Sequence, residues 1–93
     1  MASILNENIT ADGNTSGAEY PGGEGYFILQ GTEGGGTFTL QFSGDNGTTY
    51  SAVGTDSTLT ASGGAVINLP PCLVRVNTSG STGADVDAKV VIY

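Results

Sequence analysis

Asp85-Val86-Asp87 brings two carboxylates closer together than anywhere else in this sequence. On a strand, residues two apart share a face, so both acids would point the same way. Such a pair suits acid–base work or a calcium ion. Calcium takes about six to eight oxygen ligands, and no motif near the pair completes that set. Gly34-Gly35-Gly36 has the flexibility of a phosphate-binding loop but lacks its lysine and its following helix, so it reads as a turn. Histidine is absent, which removes the imidazole base and any Ser-His-Asp triad. A Ser-Lys pair would need Lys89, which lies in a strand-like run. Cys72 is the only cysteine, so neither an intrachain disulfide nor a Cys/His metal site can form. These residues predict no enzyme, no metal and no cofactor.

The densest cluster of side chains able to bond backbone is Ser43-Gly44-Asp45-Asn46-Gly47-Thr48-Thr49-Tyr50. Asn46-Gly47 suits a two-residue hairpin turn, where both central residues take positive φ. The Asp45 carboxylate and the Ser43 and Thr48 hydroxyls are placed to bond turn amides. The spacing of Ser43, Asp45, Gly47, Thr49 and Tyr50 resembles the Asp-box of sialidases and related β-propellers. In that family the box is a structural hairpin remote from the catalytic centre, so the resemblance implies structure and brings no catalysis. The box occurs once here, with Tyr50 where the family has tryptophan, and 93 residues are too few for a propeller.

Nine acidic residues face two basic ones, Arg75 and Lys89, for a formal charge of −7. Two cations cannot neutralise a phosphate backbone or an anionic lipid surface, which argues against nucleic-acid and membrane partners. Within a DNA-filled particle, this charge would favour the outer face. Met1 to Glu7 has neither the basic segment nor the apolar core of a signal peptide, and no later run reaches membrane-spanning length. Asn-X-Ser/Thr triplets begin at Asn8, Asn14, Asn46 and Asn77; without a secretion signal they are not read as glycosylation sites.

The elements that must position these groups are strands. No window carries a sustained apolar repeat of helical period, whereas period-two stretches recur. In Thr37 to Ser43, Phe38, Leu40 and Phe42 share one face and Thr37, Thr39 and Gln41 the other. Ala65, Ile67 and Leu69 share a face, as do Cys72, Val74 and Val76. Tyr26-Phe27-Ile28-Leu29 reads as a strand buried on both faces, and Val86 to Tyr93 as an apolar C-terminal strand. Asp12-Gly13, Pro21-Gly22-Gly23, Gly34-Gly35-Gly36, Asn46-Gly47, Ser62-Gly63-Gly64, Pro70-Pro71 and Ser79-Gly80 separate these runs. The expectation is a single all-β domain over residues 1–93, an antiparallel β-sandwich or jelly-roll-like fold of about seven to eight short strands. Residues 1–10 are read as an N-terminal assembly arm, with Ile4, Leu5 and Ile9 as its contacts, or else as an edge strand.

Several stretches together resemble the small β-rich virion proteins of tailed bacteriophages. They are the opening Ala2 to Thr10, the central Gly31 to Ser43 running into the Asp45 turn, Leu69 to Val76, and the short apolar C-terminus. That group includes capsid decoration (cement) proteins and knob or tail accessory proteins. The resemblance implies a non-enzymatic structural part on the outer surface of the virion, made in the host cytoplasm without a signal peptide. Its implied partners are the major capsid protein or other virion proteins, and copies of itself, with a trimer as the favoured form. The alternative reading is a carbohydrate-binding or adhesin module of a tail fibre or head knob.

Overall fold

Apolar–polar alternation produces the strands of the structure, a computed structural model that describes residues 2–92. Met1 of the expected arm and Tyr93 of the expected C-terminal strand lie outside the described residues. Ten strands and one short 3₁₀ turn follow in order. These are β1 (Ala2–Ile9), β2 (Gly13–Asn14), β3 (Ala18–Tyr20), β4 (Gly23–Thr32), β5 (Thr37–Ser43) and β6 (Ser51–Ala52). The turn η1 (Thr55–Ser57), β7 (Thr58–Leu59), β8 (Gly63–Leu69), β9 (Cys72–Ser79) and β10 (Asp85–Ile92) complete the set.

The strands form two antiparallel sheets. One has the order β1-β10-β4-β8, and the other is built on β9 and β5, flanked by β2 and β3 on one side and β6 and β7 on the other. The fold is therefore an all-β sandwich. Its interior is the sum of the inward positions: Leu5 and Ile9 on β1, Val86, Ala88 and Val90 on β10, Phe27 and Leu29 on β4, and Ile67 on β8. Facing them are Phe38 and Leu40 on β5 and Val74 and Val76 on β9, with Tyr20 closing one end. Burial of these side chains drives folding, at roughly 1.5–3 kcal/mol for each large one before entropy is counted.

Three expectations need correction. Leu5 and Ile9 are 3% and 7% exposed and belong to the domain's own core, so they are not available as assembly contacts in this fold. The physical reason is register: β1 pairs with β10 along its length, and Leu5 and Ile9 then point inward opposite Val90 and Val86. Ile4 is displaced by a bulge between Ser3 and Leu5 and is half-buried against the edge of the core. The segment is thus the edge strand of its sheet. Secondly, Tyr26 to Leu29 is buried on one face only; Phe27 and Leu29 are inside, while Tyr26 and Ile28 are half-buried on the outer face. Thirdly, the short strands number ten among the described residues. Three of them, β2, β6 and β7, are two residues long and exist only because β9 or β5 offers a partner.

Candidate functional site

The Ser43–Tyr50 segment leaves β5 at one end of the sandwich, and its Ser43 and Asp45 side chains bond each other and the segment's own backbone. Ser43 Oγ donates to Asp45 Oδ1 at 2.7 Å and accepts the Gly47 amide at 2.8 Å. Asp45 Oδ1 also accepts the Thr49 amide at 2.8 Å. Together these bonds hold the Asp45 carboxyl below its ordinary value, the Ser43 hydroxyl acting most strongly and the Thr49 amide next. Asn46 and Gly47 take φ of 60° and 91°, and the Thr48 amide donates to Asp45 O. Both central residues thus have the positive φ read from Asn-Gly, but the hairpin is not a two-residue one. The turn sits at the tip of a seven-residue connection between β5 and β6. Thr48 is bonded through its amide.

Tyr50 turns back onto the outer face of the β9–β5 sheet. Its ring centre lies 3.8 Å from the Arg75 guanidinium carbon, and Arg75 Nε donates to Gln41 Oε1 at 2.7 Å. Arg75 and Gln41 are direct cross-strand partners, so the sheet register itself assembles this stack. A cation over an aromatic face contributes about 0.5–1 kcal/mol when partly exposed. The Tyr50 hydroxyl reaches Gly17, where a β-carbon would lie 2.6 Å from it. Nothing in the spacing of Tyr50 and Arg75, 25 positions apart, discloses this contact.

Beside the turn lies an open groove of about 600 Å³, lined among others by Ile4, Tyr20, Asn46, Pro71, Cys72 and Leu73. Burial raises the Cys72 thiol above its ordinary value, which lowers its thiolate fraction and makes it a poor nucleophile. Tyr20 is 1% exposed; its hydroxyl donates to Gly23 O at 2.7 Å, and burial raises its pKa. The groove therefore sets an apolar wall beside a thiol and a phenol that burial keeps protonated.

Asp85 and Asp87 do share the outward face of β10. Asn8, opposite on β1, spans them: its Nδ2 donates to Asp85 Oδ1 at 2.9 Å, Val86 O at 3.2 Å and Asp87 Oδ1 at 3.3 Å. An amide donor stands where a cation would have to sit. Among the described residues no group of three or more His, Cys, Asp or Glu side chains could hold a metal ion. Gly34-Gly35-Gly36 is a turn closed by a Gly36 N–H bond to Glu33 O at 3.1 Å, and it carries the chain from one sheet to the other.

Asp12, singled out only as part of a turn, is a clamp. Its carboxylate accepts the Gly80 and Ser81 amides at 3.1 and 3.0 Å and the Ser81 hydroxyl at 2.5 Å. These bonds, the Ser81 hydroxyl first, hold its carboxyl below the ordinary value. The arrangement ties the β1–β2 connection to the β9–β10 connection. No family model, curated protein or solved structure matches this chain.

Proposed function

We propose that this chain is a non-enzymatic structural protein of a tailed-bacteriophage virion, a capsid decoration or cement protein on the outer surface of the head. The observation that carries the reading is what its acids do. Asp12 and Asp45 bond backbone amides and fix loops, and Asp85 and Asp87 share an amide donor, so the side chains best suited to chemistry serve as braces. Such a protein acts mechanically. Bound across neighbouring capsid subunits, it stabilises the shell by mass action, because it binds the assembled surface and not the separated parts. The formal charge of −7 suits a position away from packaged DNA.

Mass spectrometry of purified particles, followed by cryo-electron microscopy, tests this directly. The chain is expected on the shell in a fixed ratio to the major capsid protein; particles that lack it would refute the proposal. A second reading, a sugar-binding module, draws support from Tyr50, Arg75 and Gln41 arrayed on one outer sheet face. Glycan-array binding abolished by Tyr50→Ala would favour that reading over the first.

A further inference from the structure

A β-sheet edge presents unpaired amides and carbonyls, and folded proteins blunt such edges by shortness, charge, proline, bulges or a covering helix or loop. Three of the four edges here are blunted. The β9–β5 sheet ends on one side in β2 and β3 and on the other in β6 and β7, none longer than three residues. At the β1 edge, the Ser3–Leu5 bulge breaks the line of the strand. Glu7 adds a charge on the same side of β1 as Leu5 and Ile9, where its carboxylate accepts the Ser16 amide.

Of these devices the β8 edge has only the adjoining turn η1. Gly63-Gly64-Ala65-Val66-Ile67-Asn68-Leu69 is seven residues long, pairs without a bulge along β4, and contains neither a charge nor a proline. Its other side makes no backbone hydrogen bond among the described residues; η1 adjoins the strand without bonding to it. Val66, at the middle of this strand, is 59% exposed and is the one large hydrophobic side chain exposed among the described residues. Tyr26, its cross-strand partner, lies over Gly64 and leaves no room there for a β-carbon, so the outer face is apolar around Val66, while Glu24 stands exposed opposite Asn68 at its far end.

We propose that β8 is a self-association edge, at which a second copy of this chain adds antiparallel across a twofold axis through Val66. The occupant must be an extended strand, because unpaired backbone groups are what the edge offers. Charge selects the copy. A chain of formal charge −7 repels itself most weakly where both surfaces are neutral, and β8 is a long, uncharged edge. The geometry is self-complementary: centring on Val66 sets Gly64 against Asn68 and Ala65 against Ile67, whichever alternate residues point their amides outward. The result is a continuous eight-stranded sheet spanning the pair. This twofold pair replaces the trimer expected from the sequence and does not depend on the virion reading. A strand edge about 24 Å long gives an interface at the small end of the usual range, so the pair forms in a concentration-dependent way.

Sedimentation equilibrium of the whole chain over a range of concentrations tests this. The expected result is a monomer–dimer equilibrium, with Val66→Lys shifting the protein to monomer at every concentration while its far-UV circular dichroism is unchanged. Asn6→Lys, on the opposite edge of the same sheet, should still dimerise. Should Val66→Lys fail to fold, Asn68→Lys places a charge on the same edge at an exposed position. A wild-type chain that remains monomeric or forms a trimer would overturn the proposal, as would a folded lysine variant that still dimerises.

Discussion

Asp12 and Asp45 show how individual side chains set the pH range of the fold. Both carboxyls are held below the ordinary value of 3.8 by hydrogen bonds that only the folded chain provides. A depressed folded-state pKa contributes stability that is complete above the unfolded value and is lost as pH falls through the folded one. The melting temperature should therefore be level from neutrality to about pH 5 and fall below that. Asp12→Asn with Asp45→Asn should flatten the fall; a double variant as acid-sensitive as the parent would refute this assignment. Thr78 poses the opposite case. It is 2% exposed, and its hydroxyl oxygen has no hydrogen-bond partner among the described residues. Leaving such a group unsatisfied costs about 1–3 kcal/mol, so Thr78→Val should raise the melting temperature. An unchanged or lower value by calorimetry would mean that the hydroxyl is satisfied. The Ser43, Asp45, Asn46 and Gly47 turn was legible in the sequence because its bonds span at most four residues. Asp12 with Ser81 and Tyr50 with Arg75 were not, because only the assembled sheets bring those pairs together.

At the scale of elements, the strands with strict alternation in β5, β8 and β9 could be read directly, since one buried face imposes period two. The two-residue strands could not, because they carry no pattern and depend on a neighbour's register. β1 was ambiguous for a related reason: its three large apolar residues suit docking on a neighbour or on its own domain, and only the pairing with β10 decides. Deleting residues 1–10 removes Leu5 and Ile9 from the core, at roughly 3–6 kcal/mol for the two against a typical total of about 5–15. The truncated chain should be unfolded by circular dichroism, and a well-folded one would contradict this packing. The glycine turn can be tested more finely. Gly34 and Gly35 both have positive φ, 62° and 73°, but a β-carbon on Gly34 would lie 2.5 Å from Thr82 O, whereas one on Gly35 meets nothing. Gly35→Ala should cost about 1–2 kcal/mol from backbone conformation alone, and Gly34→Ala distinctly more. Equal losses in denaturant titrations would count against this close approach.

For the molecule as a whole, strand order and chain order disagree. β10 follows the nine other strands in sequence yet lies in the interior of its sheet, between β1 and β4. That position bears on synthesis as well as on stability. Of these strands β1 leaves the ribosome first, and it has no strand partner until about eighty residues later, when β10 emerges. Leu5 and Ile9 stay uncovered throughout that interval, as does the edge of β4 that β10 will fill. Folding of this sheet therefore completes only after β10 has cleared the exit tunnel, and nascent chains stalled before Asp85 should be protease-sensitive where released chains are resistant.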